Sequence, residues 1–396
     1  MNQFNRRRFL KSGAAGAAGL MVAGTVYAGS SPAGEDKKII YRTLGRTGLK
    51  VPVVSMGVMR ADNPGLVTAC MENGINFFDT ANGYQNGRNE EMLGTVLKDY
   101  PRDSFMMTTK VKPAGVDRAG IPSAATTAAD FEEKFNVSLK RLQMDYVDIL
   151  YVHDVSTKEL TNHEPLLELL RKLKKDGKIR YIGISTHRNE HLVIDYMIEN
   201  GEYDVVLTSY NFTQEHRQQV GEAIQRASKA GLGVVAMKTI AGGFLDRERT
   251  KPVNAQAALK WVLSNEGVHT TIPGLAAFDH LTSALPVLGN ITMTEQEKRD
   301  VNLGVADNGL YCNNCQACVP SCPKQLPVPE MMRAYMYAYG YGSTKMAYDL
   351  LCESGIGANP CGDCNDCVVK CVNRFNVREK IMDVSRVVNI PSDFLT

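Results

Sequence analysis

The chain has 396 residues, a formal net charge of +2 and 44% hydrophobic residues. This nearly even balance of positive and negative charges does not favour nucleic-acid binding. The chain is also longer than a single small core would need. Cysteine is unevenly placed, because Cys70 is alone before residue 300 whereas the others lie between Cys312 and Cys371. This contrast predicts two domains with different chemistry.

The N-terminus has the pattern of a targeting segment. Arg6–Arg8 precede a weakly apolar Gly/Ala stretch, and Val26–Ala28 offers small residues for cleavage. We predict a twin-arginine signal peptide at 1–28 and a linker at 29–37, hence a periplasmic or exported protein carried by the Tat translocase. The stretch is too short and too poor in large apolar residues for a stable membrane span after processing. The alternative is a disordered basic tail.

A hairpin that turns at Gly45–Gly48 is predicted first, and strand and helix patterns alternate from Val53 onward. Eight βα units in about 240 residues predict a (β/α)8 TIM barrel over 38–292, followed by a helical connection at 293–310. The predicted strands are Val53–Met59, Ile75–Phe78, Ser104–Lys110, Tyr146–His153, Arg180–Ser185, Asp204–Tyr210, Gly233–Met237 and Val268–Ile272.

Three successive strands end in residues able to do chemistry. Asp79, Lys110 and His153 stand at these strand ends, and Tyr84 follows in the loop after the first. Active sites of parallel α/β proteins are built at the C-terminal ends of the strands, which favours a catalytic group here. The alternative is structural: the carboxylate caps the next helix, for which Asn89 is the predicted N-cap, and the phenol packs on the surface.

The motifs around these residues resemble the aldo-keto reductase family over residues 38–290. They are DTANGYQNGRNEEMLG at 79–94, TTK at 108–110, YVHD at 151–154 and GKIRYIGIS at 177–185. The resemblance implies hydride transfer between nicotinamide and a small-molecule carbonyl or alcohol, with Asp79, Tyr84, Lys110 and His153 as the catalytic four. Tyr84 would be the general acid or base, and Lys110 would lower its pKa from a reference value of about 10. Asp79 would hold the lysine, and His153 would bind the substrate oxygen.

The resemblance also implies a cofactor site for NAD or NADP. Ser185 matches a carboxamide contact, while Thr186 stands where an asparagine is usual and Met237 where a tyrosine stacks on the ring. Gly274 and His280 replace the lysine and arginine that would bind an adenosine 2′-phosphate. Since a phosphate dianion requires charge-assisted donors, we expect NADP(H) to bind no more than modestly better than NAD(H).

The cysteine-rich tail, residues 311–396, repeats one spacing: C-x2-C-x2-C-x3-C, with a proline after the first copy. This spacing predicts a ferredoxin-like domain of the bacterial type with two [4Fe–4S] clusters, in which the fourth cysteine of each run binds the other cluster. The predicted sets are Cys312, Cys315, Cys318 and Cys371 for one cluster, and Cys361, Cys364, Cys367 and Cys322 for the other. Disulfides and zinc are the alternatives.

Two further expectations concern the tail. Cys352, like Cys70 in the barrel, fits neither set and is expected to be a buried thiol. Residues 331–348 are rich in tyrosine and methionine and are expected to form a helix that packs around the clusters, without a site of their own.

Two functions from different classes remain open. The first is a carbonyl reductase or alcohol dehydrogenase; the second is an electron-transfer iron–sulfur protein with a redox partner, its barrel serving as a partner-binding body. Hydride transfer moves two electrons and each cluster accepts one, so we favour clusters that are mainly structural.

Overall fold

The computed structural model describes residues 38–246, 250–306, 311–362, 364 and 367–395. The predicted signal peptide and linker lie outside these ranges, so export and the Tat translocase stay predictions. Within the described ranges, no helix has the length and the apolar character needed to cross a bilayer.

A hairpin opens the described chain. Strands β1 (Tyr41–Thr43) and β2 (Lys50–Pro52) pair antiparallel around a 3-10 turn at Gly45–Thr47, which confirms the predicted hairpin. The Arg46 amide donates to the Gly231 carbonyl at 2.7 Å. Gly45 has φ +50, and a Cβ there would lie 2.4 Å from the Gly233 nitrogen. The close approach requires glycine and lets the hairpin pack against the N-terminal end of the barrel.

Eight parallel strands follow in sequence order and form the barrel wall. They are β3 (Met56–Gly57), β4 (Phe77–Asp79), β5 (Met106–Val111), β6 (Val147–Val152), β7 (Ile179–Thr186), β8 (Val205–Ser209), β9 (Gly233–Met237) and β10 (Thr270–Thr271). The first and last strands join through parallel bridges between Val54 and Thr271 and between Gly57 and Gly274. A Cβ on Gly57 would lie 2.7 Å from the Ile272 carbonyl oxygen, so the closure requires glycine. Both closing strands are shorter than predicted.

Ten helices of the described ranges precede the tail, and the first nine alternate with or flank the barrel strands. They are α1 (Pro64–Glu72), α2 (Arg88–Leu97), α3 (Ala128–Leu142), α4 (Lys158–Thr161), α5 (Glu164–Lys175), α6 (Glu190–Asn200), α7 (Arg217–Lys229), α8 (Ala255–Leu263), α9 (Phe278–Gly289) and α10 (Glu295–Ala306). In α5 the leucines at helical spacing are buried, while the lysines of its last turn balance the helix dipole.

Two apolar layers hold the barrel. The inner layer fills its interior with side chains such as Phe77, Tyr151 and Leu207, and the outer layer lies between the strands and the surrounding helices. The barrel is therefore a packed core whose chemistry is confined to its C-terminal end. We call that end the barrel mouth.

The tail has a hydrophobic core of its own. It contains α11 (Val328–Tyr335), which continues into a π-helical turn at Met336–Gly340, then α12 (Thr344–Glu353) and α13 (Val377–Ser385). The described part of the tail contains helices and loops and no strand. The ferredoxin-like assignment therefore rests on cysteine spacing alone. Cys70 is buried as expected, but the expectation for Cys352 is wrong, because it is exposed.

Candidate active site

Parallel pairing brings the predicted strand-end residues to one level of the barrel mouth. Asp79 pairs in register with Thr108 of β5, and Lys110 pairs with Tyr151 of β6. The His153 amide donates to the Val111 carbonyl at 2.9 Å. The three side chains thus come from neighbouring strands at the same end of the sheet.

Lys110 and Asp79 form a buried ion pair. The Lys110 Nζ donates to an Asp79 carboxylate oxygen at 2.5 Å and to the Thr80 carbonyl at 2.6 Å, while the Thr108 hydroxyl donates to the other carboxylate oxygen at 2.8 Å. Burial raises the pKa of Asp79 and lowers the pKa of Lys110, and their mutual contact opposes both shifts. The pair fixes the lysine beside the loop that carries Tyr84.

Tyr84 faces both Lys110 and His153. The Lys110 Nζ lies 3.4 Å from the Tyr84 hydroxyl. The rings of Tyr84 and His153 make an edge contact, with 6.1 Å between their centroids. The next two residues, Gln85 and Asn86, adopt left-handed φ values of 51 and 55. This local strain is typical of functional loops and orients the phenol toward the lysine.

The pKa of Tyr84 is raised, contrary to the prediction that Lys110 lowers it. Burial is the largest cause, and the carboxylates of Asp79 and Asp154 add to it, while Arg333 opposes it. The Asp79 carboxylate that pairs with Lys110 also faces the phenol, so its charge opposes the effect of the ammonium on the pKa of Tyr84. Tyr84 therefore keeps its proton near neutral pH, which is the state required of a general acid.

His153 is held in its neutral form. Burial, and after it the cation of Lys110, lower its pKa to about 3. A neutral imidazole still carries one N–H, so His153 is able to donate a hydrogen bond to a substrate oxygen without adding charge.

The prediction that Asn89 caps a helix is wrong. Helix α2 begins at Arg88 with Gly87 at its N-cap, and Asn89 is fully buried. Its amide donates to the Val58 carbonyl at 2.7 Å and its oxygen accepts from the Thr80 hydroxyl at 2.6 Å. Asn89 therefore links the loop that carries Tyr84 to the loop after β3 by hydrogen bonds.

Three of the residues predicted to contact the cofactor lie at the barrel mouth, and they differ in the groups that they present to a ligand. The Ser185 oxygen accepts from the Asp154 amide at 3.1 Å, which leaves its hydroxyl proton for a ligand, whereas the Thr186 hydroxyl donates to the Arg188 carbonyl at 3.0 Å. Met237 ends β9 half-buried.

The other two predicted cofactor positions lie beyond β10. Gly274 is exposed, and His280 on α9 is exposed with its Nδ1 accepting from the Ala276 amide at 3.3 Å.

The tail covers the barrel mouth, which the sequence did not predict. Two of its segments, Tyr311–Asn314 and Val328–Tyr341, lie over the strand ends, and we call them the roof. The Asn313 amide donates to the Thr213 carbonyl at 2.8 Å, the Asn314 amide donates to the His187 carbonyl at 2.6 Å, and Arg60 donates to the Tyr341 carbonyl at 3.0 Å. The barrel and the roof together line a small pocket at the mouth.

The expectation that residues 331–348 only pack around clusters is therefore wrong. Arg333, Tyr337 and Tyr341 recur every four residues, so they share one helical face, and that face points into the mouth. Tyr337 and Tyr341 stack at 5.6 Å. Burial raises the pKa of Tyr337 to about 12, and Tyr84 is among the neighbours that raise it further. The spacing of these three residues at intervals of four was the sequence signal that could have identified this face.

Arg333 joins two barrel residues at the mouth. Its Nη1 lies 3.0 Å from the His187 Nε2, which in turn lies 3.0 Å from a carboxylate oxygen of Asp154. Burial alone would raise the pKa of Asp154, but the cations around it, Arg333 included, hold it well below its usual range. A cation supplied by the tail thus acts on the catalytic end of the barrel.

The predicted cluster cysteines lie in two groups. Burial is the largest cause that raises the pKa of Cys312 to about 12, and the neighbouring thiols of Cys318, Cys315 and Cys371 contribute in the same direction. Burial likewise raises the pKa of Cys361, with contributions from Cys364, Cys367 and Cys322. No group of three or more His, Cys, Asp or Glu side chains in the described ranges converges as the ligands of a single metal ion would.

Comparison with known proteins identifies the barrel. The model of the Aldo/keto reductase family matches residues 58–256. L-galactose dehydrogenase of Arabidopsis thaliana is 32% identical over 227 residues, which is 53% of this chain and 68% of that protein. The chain belongs to the aldo/keto reductase family.

Other relatives differ in what they do. D-threo-aldose 1-dehydrogenase of a Pseudomonas species is 25% identical over 52% of this chain and 70% of its own. A solved aldo-keto reductase of Bacillus halodurans has a TM-score of 0.56 at 22% identity and covers 70% of this chain and 99% of its own, which supports the barrel fold. As an aldo/keto reductase, the protein is an NAD(P)-dependent oxidoreductase.

Proposed function

We propose that this aldo/keto reductase reduces a small carbonyl compound with Tyr84 as the general acid. The observation that carries the proposal is the position of the Tyr84 hydroxyl, 3.4 Å from the Nζ of Lys110, whose ammonium is held by the buried Asp79 carboxylate. The second candidate, an electron-transfer protein with a passive barrel, is not favoured, because a passive barrel requires no buried ion pair aimed at a phenol.

Three side chains have separate roles in the proposed proton transfer. A nicotinamide, when bound, supplies the hydride, and the chain supplies the proton. His153, neutral through burial, donates to the substrate oxygen and fixes its position. Tyr84 transfers its proton to that oxygen, and Lys110 stabilises the phenolate that remains because its Nζ donates to the phenolic oxygen. Because burial raises its pKa, Tyr84 is protonated near neutral pH, which is the state that proton donation requires.

The residues fit the nicotinamide end of the cofactor better than the adenosine end. The Ser185 hydroxyl retains a proton for a carboxamide oxygen, and the half-buried Met237 offers a polarizable thioether to an aromatic face. At the adenosine end, Gly274 has no side chain and His280 already accepts a hydrogen bond. Two further cations that could supply a phosphate contact, Arg247 and Arg249, lie outside the described residues.

Nucleotide titration tests the proposed cofactor use. We expect purified, nucleotide-free protein to bind NADPH and NADH with dissociation constants within about tenfold of each other, since each absent charged hydrogen bond costs on the order of 1.5–3 kcal/mol. Quenching of the fluorescence of Trp261 reports binding. Failure to bind either nucleotide would refute the proposed reaction. A hundredfold preference for NADPH that Arg247→Ala or Arg249→Ala abolishes would instead place the phosphate contact on that segment.

We also propose that the tail holds two [4Fe–4S] clusters. The proposal is supported by the paired cysteine spacing and by a pocket whose lining includes Cys322, Cys361, Cys364 and Cys367. The thiolates of such a cluster each bind a different iron, so they need not converge on one point as the ligands of a single ion do. We favour a structural role for the clusters.

Iron analysis tests this assignment. Anaerobically purified protein should contain about eight iron and eight sulfide per chain, as two four-iron clusters require. Cys315→Ser should lose about half of both. The matched control is Cys352→Ser, which removes an exposed thiol from the same domain and should leave the content unchanged. Zinc in place of iron, or a fully disulfide-bonded tail, would contradict the proposal.

A further inference from the structure

The first cysteine run contacts the barrel through the residues that stand between its cysteines. We call residues 312–318 the ligand loop, because they contain three of the four cysteines predicted for one cluster, and Asn313 and Asn314 follow its first cysteine. The Asn313 side-chain amide donates to the Thr213 carbonyl at 2.8 Å, and that of Asn314 donates to the His187 carbonyl at 2.6 Å. The ligand loop is therefore bonded to the loops after both β7 and β8.

The backbone of the ligand loop is arranged around sulfur atoms. The Asn314 backbone amide donates to the Cys312 Sγ at 3.3 Å, and the backbone of Ala317 makes a hydrogen bond to the Cys315 thiol. Within the described ranges, no residue of the ligand loop donates a hydrogen bond to a backbone carbonyl through its own backbone amide. Because the loop lacks the backbone bonds of a helix or a strand, its conformation depends on what holds its cysteines.

The two cysteine runs differ in their surroundings. Cys312 lines the pocket at the barrel mouth together with barrel residues such as His187 and Asn211. The pocket that includes Cys361 and Cys364 is lined, among the described residues, by the tail alone. The residues between the cysteines differ too, since the first run has Asn, Asn, Gln and Ala where the second has Gly, Asp, Asn and Asp. Only the first run thus combines cluster ligands with contacts to the barrel in the described ranges.

The barrel segments that the ligand loop holds belong to the mouth. His187 directly follows Ser185 and Thr186, the proposed nicotinamide contacts at the end of β7. Two residues further on, the Asn189 side-chain oxygen accepts from the Gln316 amide at 3.3 Å. The positions of these loops therefore bear on how fast a ligand enters or leaves the mouth.

Other contacts between the tail and the barrel do not involve the cysteine runs. Arg60 donates to the Tyr341 carbonyl at 3.0 Å, and Arg118 donates to the Ser354 carbonyl at 2.5 Å. These bonds join the barrel to the helical part of the tail, so that part stays docked when the ligand loop is released. The effect of releasing the loop is consequently confined to the segments after β7 and β8.

We propose that the ligand loop is a clamp on the barrel mouth whose hold depends on its iron–sulfur centre. With the centre assembled, Asn313 and Asn314 fix the loops after β7 and β8, and ligands exchange slowly. Without it, the loop loses its conformation, its amides leave the barrel, and ligands exchange faster. This inference rests on the proposed clusters and names a regulatory role for one of them: the supply of iron and sulfide sets how tightly the mouth is held. It requires no electron transfer.

Hydrogen–deuterium exchange of the full-length holoprotein tests the clamp. In Cys315→Ser, which should lose the first centre, we expect exchange of segments 186–190 and 211–214 to rise about tenfold, the factor that the loss of two ordinary hydrogen bonds gives. Exchange around Arg60 should stay the same. The matched control is Cys364→Ser, which should lose the second centre and leave both segments as in the wild type. Equal exchange in Cys315→Ser and the wild type would overturn the proposal.

A second variant releases the clamp and leaves every cysteine in place. Asn313→Ala with Asn314→Gly removes both amides, and glycine accepts the left-handed φ of +60 at position 314. Its iron content should match the wild type while both segments exchange as fast as in Cys315→Ser, so the result stands even where Cys315→Ser disturbs the folding of the tail. The matched control is Ser321→Ala, which removes an exposed hydroxyl that bonds within the same run. Wild-type exchange in the double variant would overturn the proposal.

The rate of NADPH release measures the consequence for ligands. Stopped-flow displacement from the loaded protein should show release several-fold faster in the double variant than in Ser321→Ala, and equal rates would overturn the control of ligand exchange. The exchange measurements require no turnover, so a failure to reduce carbonyls would refute the proposed reaction and leave the clamp standing. Wild-type protein without iron would overturn the clusters and the clamp together, while carbonyl reduction is still measured independently.

Discussion

Tyr84→Phe is expected to lower kcat for carbonyl reduction by roughly 10²–10⁴-fold while nucleotide affinity stays the same. The substitution removes only the hydroxyl that lies 3.4 Å from the Lys110 Nζ, and it keeps the ring that contacts His153. Single-turnover reduction by bound NADPH measures the chemical step directly, and the fluorescence titration measures nucleotide affinity on the same sample.

The matched control for this experiment is Tyr41→Phe. Tyr41 is an exposed phenol on the hairpin, which packs at the opposite end of the barrel, so its loss should leave both quantities unchanged. A Tyr84→Phe protein that keeps more than about half of the wild-type rate would show that the proton comes from elsewhere.

Lys110→Met is expected to abolish activity and to lower the free energy of unfolding by about 3–5 kcal/mol, because it leaves the Asp79 carboxylate buried without its cation. Both side chains are nearly inaccessible, with exposed fractions of 1% and 3%. The variant relieves the cost by keeping a proton on Asp79. Its folded state then binds more protons than its unfolded state, so its stability should fall as pH rises through the range where the unfolded carboxyl ionises.

Urea unfolding at several pH values measures this change in stability, and two further variants serve as controls. Lys158→Met breaks an exposed ion pair with Glu199 and should leave the midpoint nearly unchanged. The double variant Asp79→Asn with Lys110→Met removes both charges, so it should recover most of the stability but none of the activity. A Lys110→Met protein as stable as the wild type would show that the pair is not ionised in the folded state.

The barrel was predictable because its signals are local. Alternating strands and helices give the fold, and since parallel strands end at one edge, the positions of Asp79, Lys110 and His153 follow from the strand assignments. The lengths of β3 and β10 were less predictable, because the two strands join through isolated bridges, and the close backbone contact at Gly57 lies at that closure.

What could not be predicted depends on contacts between distant residues. The hydrogen bond from Arg60 to Tyr341 spans 281 positions of the chain, and no local pattern sets that docking. The pKa of Tyr84 was predicted with the wrong sign because its burial, and the screening of Lys110 by Asp79, belong to the assembled pocket. Asn89 was assigned as a cap since an asparagine at a helix start usually is one, but tertiary contacts recruit its amide instead.

The roof affects how the enzyme folds during its synthesis on the ribosome. Translation proceeds from the N-terminus and domains fold as they emerge, so the barrel is complete while residues of the tail are still being added. Until Arg333 and the Tyr311–Asn314 loop arrive, the mouth lacks the wall that encloses its pocket. A nascent or truncated chain would have the four proposed catalytic residues without the roof. Synthesis and docking of the tail therefore set the moment at which the barrel mouth is covered.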